Sequence, residues 1–239
     1  MTGPSTRRTR RRSPLLPLLL SLCFLASPAS AAGKSACHGT TSNGSLENGC
    51  KLPADGPNFS AYSFVGRALG RTYVHCTVAE IVTAAYAEMA ETHPEVLFIY
   101  GETGLEEGGP FKPHKTHQNG LSVDFFVPVR NEHGESVGLS THVFNTWGYD
   151  LEFDGKGRLD NLVIDFEAMA AHIAALHRAA RARGVDLWRV IFDPELQPFL
   201  RRTAAWPEIS GTVRFSTRRS WVRHDEHYHV DFDIPCEPL

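Results

Sequence analysis

An aspartate stands in the middle of an otherwise apolar strand. The run Leu121-Ser122-Val123-Asp124-Phe125-Phe126-Val127-Pro128 reads as a β-strand stopped by proline. A carboxylate between Val123 and Phe125 is costly unless it is paired or bound to a cation. Whatever the chain folds into must therefore bring a partner to that strand, and two stretches can supply it. Upstream, Pro113-His114-Lys115-Thr116-His117-Gln118-Asn119-Gly120 ends in a glycine that lets the chain turn, so that His117 and Asp124 converge. Near the C-terminus, His224-Asp225-Glu226-His227-Tyr228-His229 leads into a last strand, where His227 and His229 point to one face. Two nitrogens and one carboxylate around Zn²⁺, with a fourth position for water, is the composition of a catalytic rather than a structural zinc site. The same donors suit other first-row ions. Singly, these features have plain readings: a surface His-x-His pair, a carboxylate held by a basic residue, ordinary loop histidines. Their coincidence in one chain points to a metal site.

The N-terminus reads as an export signal over residues 1–31. Five arginines between Arg7 and Arg12 precede an apolar stretch from Leu15 to Leu25, and Ala29-Ser30-Ala31 is a small-residue cleavage site. The apolar stretch is short and broken, so no stable membrane insertion is expected after cleavage. The neighbouring arginines leave both general and twin-arginine export open. The chain from Ala32 onward has 208 residues, a length that one core can serve as a single domain over 32–239. Without the five arginines, 19 basic residues face 27 acidic ones and the net charge moves from −3 to about −8, which argues against a nucleic-acid partner. Cys37, Cys50, Cys76 and Cys236 then form an even set, predicting two disulfides with three possible connectivities. Export predicts a periplasmic or secreted protein.

Periodicity predicts helices over 77–92 and 166–183, the second closed by Gly184, and a short helix over 195–202. Strands are predicted over 96–100, 121–128, 187–192 and 230–234, an irregular lead-in over 34–59 and a loop over 101–113. The pattern indicates an α+β fold: a small central antiparallel sheet with flanking helices and long loops. Residues 130–159 read as either a rim insertion that shapes a groove or a long hairpin.

The runs His117-Gln118-Asn119-Gly120-Leu121-Ser122-Val123-Asp124 and His227-Tyr228-His229, with Asn48-Gly49-Cys50, the 101–113 approach and Arg189-Val190-Ile191-Phe192, resemble the penicillin-insensitive murein endopeptidases. These belong with the lysostaphin-type and D-alanyl-D-alanine zinc peptidases. His114 and His224 narrow the likeness towards the endopeptidases. The resemblance implies one Zn²⁺ per chain held by His117, Asp124 and His229, with His227 beside it and His114 and His224 as further active-site histidines. It implies cleavage of cross-linked peptidoglycan peptides, typically between D-alanine and the side-chain amine of meso-diaminopimelate. Ser122 departs from the aspartate common at its position, which concerns the polar surroundings of Asp124.

On this reading His227 is the general base, since histidine titrates near working pH, and Glu226 is the alternative base. Strand parity sets Glu226 opposite His227 unless the chain is still turning there. His224 steadies the oxyanion or protonates the leaving amine, and His114 is a supporting or substrate contact. Competing readings are a D,D- or L,D-carboxypeptidase, for which Arg67 and Arg71 are the nearest candidates to clamp a terminal carboxylate, a non-catalytic peptidoglycan-binding module, and a closed structural zinc domain. Tyr228 is read as a packed or groove-lining ring, Trp221 as a rim residue, and Glu106 and Glu107 as a contact for a cationic amine or a solvated loop.

Overall fold

Strands as apolar as those around Asp124 and His229 need cover on both faces, and the computed structural model provides it with a mixed sheet, helices behind and loops in front. The structure describes residues 1, 3 and 34–239 except 221. Apart from residues 1 and 3, the expected signal over 1–31 lies outside the described residues, as does Trp221. The chain divides into Met1–Ala32 and Gly33–Leu239, and the fold is that of the second unit. Its elements in chain order are β1 (Ala36–Thr40), β2 (Asn43–Glu47), β3 (Cys50–Lys51), β4 (Phe59–Ala61), α1 (Phe64–Ala68), β5 (Tyr73–Val74), α2 (Cys76–Thr92), β6 (Phe98–Tyr100), β7 (Ser122–Phe126), β8 (Val129–Arg130), β9 (Ser136–Val137), a 3₁₀ segment Val143–Gly148, β10 (Arg158–Leu159), β11 (Leu162–Ile164), α3 (Phe166–Arg181), β12 (Asp186–Ile191), α4 (Gln197–Leu200), α5 (Trp206–Ile209) and β13 (His227–Asp233).

The class is α+β, as expected. The central sheet has the order β12-β13-β7-β6-β4, and it is mixed rather than wholly antiparallel because β4 and β6 run parallel. Register fixes the site: His229 lies opposite Asp124, and Asp231 opposite Ser122. Alternation then sends Val123, Phe125, Tyr228, Val230 and Phe232 to the other face, where they are buried in the main core with α2 and α3. Tyr228 is thus a packed ring and not part of the groove.

α2 buries the predicted stripe of Val78, Ile81, Val82, Ala85 and Met89, with Tyr86 added. α3 opens on Asp165, whose side chain accepts from Ala168 N at 3.0 Å, and Gly184 follows it in the left-handed region at φ 70°. Instead of one stripe, α3 buries nearly every position from Ala168 to Ala180, because its alanines let neighbouring elements approach on several sides.

The lead-in is more ordered than predicted. β1 and β2 form a hairpin, β3 pairs with β5, and β4 joins the central sheet. The reason is non-local: Cys37 of β1 is bonded to Cys236 just beyond β13, and Gly39 N donates to Glu237 O at 2.8 Å. The second bridge joins Cys50 to Cys76 at the start of α2. Both predicted disulfides form. No helix among the described residues is long and apolar enough to cross a membrane.

One buried histidine links this core to pH. His172 on α3 stacks on Tyr86, its Nδ1 stands 2.5 Å from the Tyr228 hydroxyl, and burial pushes its ring from 6.5 down to about 3. The unfolded chain accepts a proton near pH 6.5 that the folded chain refuses until about pH 3. Its neutral form therefore supports the fold fully above pH 6.5, and stability falls as pH drops through that window, by about 1.4 kcal/mol per unit. His172→Asn, which keeps an acceptor for Tyr228, is expected to flatten the pH dependence of the unfolding free energy from urea titrations between about pH 6 and 4 by that slope. An unchanged slope would contradict it.

Candidate metal centre

The loop before β7 is bent to deliver His117. His117 sits in the left-handed region at φ 68°, and Gly120 at φ 76° brings the chain so close to β2 and α2 that a Cβ there would lie 2.7 Å from His75 N. Only glycine fits that approach. A non-glycine residue held at positive φ carries local strain, which folds retain where a side chain must be aimed.

Asp124, fully buried, is the hub. Its Oδ1 lies 3.3 Å from His117 Nε2 and 2.9 Å from His229 Nδ1. Its Oδ2 accepts from the Tyr149 hydroxyl at 3.0 Å and faces His227 Nε2 at 3.8 Å and His114 Nδ1 at 3.9 Å. The second nitrogen of each ring has its own acceptor. His117 Nδ1 meets Thr103 O at 3.0 Å, His114 Nε2 meets Glu102 at 2.7 Å, His227 Nδ1 meets Glu226 at 2.7 Å and His229 Nε2 meets Asp231 at 2.8 Å. His224 Nδ1 meets Val222 O at 2.9 Å, and its ring centre lies 4.6 Å from that of His227. All six predicted side chains, His114, His117, Asp124, His224, His227 and His229, therefore converge.

These donors fit a cation. The carbonyl of Thr103 places the proton of His117 on Nδ1, so buried Nε2 presents a lone pair and has no hydrogen-bond partner. Opposite it stands a carboxylate oxygen, and two electron pairs facing each other in a dry site are costly unless a positive centre joins them. Burial lowers the His117 pKa, which keeps its ring neutral. At His229 burial also opposes protonation, but the charge of Asp231 and the hydrogen bonds to Asp124 and Asp231 outweigh it and raise the ring to about 10. A metal taking Nδ1 would displace that proton. Among the described residues, the ligand-capable atoms of His114, His117 and Asp124 lie within 4.8 Å of one another and could hold a metal ion. His114 rather than His229 completes this trio, whereas the sequence set is His117, Asp124 and His229.

Electrostatics separates the remaining roles. Burial opposes ionisation of Glu102, but hydrogen bonds from Arg71 and His114 outweigh it and bring its carboxyl down to about 2. Burial lowers His227 to about 4 and raises Glu226 to about 8. Burial, with the neighbouring His227, lowers His224 to about 3. Glu226 meets the exception to strand parity: it precedes β13, where the chain is still turning, and its carboxyl reaches the His227 ring.

The cleft holds about 590 Å³ and is lined by His114, Trp147, Tyr149, His224, His227 and His229, among others, while Glu226 lies behind His227 and does not line it. Of the 130–159 region only Thr146, Trp147, Tyr149 and Asp150 line the cleft: β8 to β11 make a small separate sheet, and the 3₁₀ segment turns through Thr146 and Trp147 at positive φ. Arg71 pairs with Glu102, donates to Lys112 O at 2.8 Å and lies over Phe111, and Arg67 donates to Tyr100 at 3.0 Å. Arg67 is thus committed to the fold through Nη1, whereas Arg71, though paired with Glu102, lines the cleft and stays the nearer of the two candidates for a carboxypeptidase clamp. Glu106 and Glu107 line a separate hollow with Tyr73 and Lys51.

Sequence reasoning missed Glu102, Thr103, Tyr149 and Asp231. Only Asp231 carried a signal, being two residues beyond His229 on the same strand face. Comparison with curated proteins gives no match. The sequence pattern of the penicillin-insensitive murein endopeptidases matches residues 37–238, nearly all of the described fold. With its metal-capable cluster, the chain belongs to the penicillin-insensitive murein endopeptidase family and is a zinc-dependent peptidase of peptidoglycan.

Proposed function

We propose that the chain, exported to the periplasm by the signal over 1–31 and active as a single domain over 32–239, cleaves the cross-link between D-alanine and the side-chain amine of meso-diaminopimelate, with one zinc held by His117, Asp124 and His229. The observation that carries the ligand set is that Asp124 Oδ1 lies 3.3 Å from His117 Nε2 and 2.9 Å from His229 Nδ1, while Tyr149 donates to Oδ2. Zinc bound there supplies a Lewis acid and a lowered water pKa.

His227, kept neutral because burial lowers it to about 4 and so a weaker base than a histidine titrating near working pH, takes the proton of the attacking water at Nε2, which faces Asp124. Glu226 Oε1 accepts from Nδ1 and fixes the orientation of the ring; with its carboxyl raised to about 8 by burial, that role is one of positioning and not of full charge at neutral pH. His224, beside His227, protonates the departing amine or steadies the oxyanion. His114, tied to Glu102 and the Arg71 beyond it, contacts the substrate at the opposite wall. Asp124 stays ionised against the cost of burial because the surrounding histidines, His117 and His227 foremost, favour its charge.

His227→Ala is expected to lower kcat about 10²-fold at saturating zinc, and Glu226→Gln only about tenfold, within the range for general acid–base groups. A larger loss for Glu226→Gln would make Glu226 the base. Digestion of purified cross-linked peptidoglycan tests the reaction itself. Zinc-dependent conversion of dimeric to monomeric muropeptides, with a freed diaminopimelate amine by mass, is expected. Loss of terminal alanine from surviving dimers would instead show a carboxypeptidase.

A further inference from the structure

Beside the rung of the sheet that carries His229 and Asp124 lies a second rung on the same face, formed by Arg189 of β12, Asp231 of β13 and Ser122 of β7, each opposite the next. Asp231 is fully buried, yet its carboxylate is well supplied with donors. Its Oδ1 accepts from His229 Nε2 at 2.8 Å and from Ser122 Oγ at 2.6 Å, and its Oδ2 accepts from Arg189 Nε at 3.0 Å and Nη2 at 2.6 Å. Arg189 is a third exposed, lines the cleft and is steadied by Trp188, over whose ring its guanidinium lies at 4.5 Å.

We infer that Asp231 is a positioning residue that aims Nδ1 of His229 at the metal, and that Arg189 acts through it by keeping the carboxylate charged and fixed. The inference rests on the reading of His229 as a ligand. The chemistry is that of a carboxylate accepting the far N–H of a ligand histidine: it sets the tautomer, orients the ring and raises its basicity. Without Arg189 a dry carboxylate would be costly; with it, both Asp231 oxygens are satisfied and the ring is held from behind. The same geometry accounts for Ser122. A hydroxyl donates to Asp231 where an aspartate would set a second negative charge against it, so serine on β7 and aspartate on β13 belong together.

The test is zinc affinity of the metal-free full chain, measured by competition with a chromophoric chelator and independent of turnover. Asp231→Asn is expected to weaken zinc about 10- to 100-fold, and Arg189→Met about tenfold. The double variant should be no weaker than Asp231→Asn alone, because Arg189 acts through Asp231. The double variant also removes both charges together, which preserves a foldable comparison should the unpaired guanidinium at the cleft prevent Asp231→Asn from folding. His229→Ala in the same series separates the two claims. If His229→Ala loses zinc while Asp231→Asn, or the double variant in its place, binds within about threefold of wild type, the positioning role is overturned. Additive losses for Arg189→Met and Asp231→Asn would overturn the relay through Asp231. If His229→Ala binds zinc normally, the ligand assignment itself falls.

Discussion

Asp124→Asn is expected to lower murein endopeptidase turnover by about 10³-fold or more, about 4 kcal/mol on the barrier, and to lose zinc in parallel. The substitution keeps shape and an oxygen for Tyr149 but removes the charge that faces both His117 Nε2 and His229 Nδ1. His229, raised to about 10 by its two carboxylate neighbours, then keeps only Asp231. A neutral amide beside two imidazoles is a far poorer site for a divalent cation than a carboxylate. The effect should exceed that of His227→Ala, since His227 moves a proton whereas Asp124 holds the metal site together. Chelator competition and single-turnover digestion of a dimeric muropeptide would measure both. An Asp124→Asn protein that retained zinc and turnover would remove Asp124 from the centre.

The second large effect concerns stability. Cys37–Cys236 closes a loop with a sequence separation of 199 and ties the N-terminal hairpin to the end of β13; Cys50–Cys76 spans only 26. Loop-closure entropy makes the long bridge the stronger, about 5 kcal/mol against about 3.5. For a domain of this size, removing the long bridge by Cys37→Ser with Cys236→Ser should lower Tm by roughly 10–15 °C, and the short one by less. The folded state adds to this order, because β13 carries His227 and His229 and its far end is held by the bridge. Thermal unfolding under non-reducing conditions would check it. A larger drop for Cys50→Ser with Cys76→Ser would contradict the ordering.

Local pattern was enough where the physics is local. Helical periodicity marked α2 and α3, and strand alternation put His227 and His229 on one face. The cost of a buried carboxylate singled out Asp124. What escaped was set by contacts distant in sequence. The β1–β2 hairpin looked irregular because its order comes from Cys236 and Glu237 at the other end of the chain. Glu102 stands in a glycine-rich loop without periodicity, and only folding shows that it joins Arg71, Tyr62 and His114. Tyr149 lies in the region whose pattern was least specific, yet it donates to Asp124 across 25 positions. Parity left Glu226 open, because it stands one residue before the strand begins, where the chain is still turning. The departure at Ser122 became intelligible only when Asp231 was seen across the ladder.

Two assignments of the metal follow from the same side chains, and anomalous diffraction from zinc-loaded crystals separates them most directly. The expected result is one zinc per chain within about 2.0–2.2 Å of His117 Nε2, an Asp124 oxygen and His229 Nδ1, with one position open to the cleft and His227 beyond bonding distance. Zinc bound instead by His114, His117 and Asp124, with His229 still protonated against Asp124, would contradict the account.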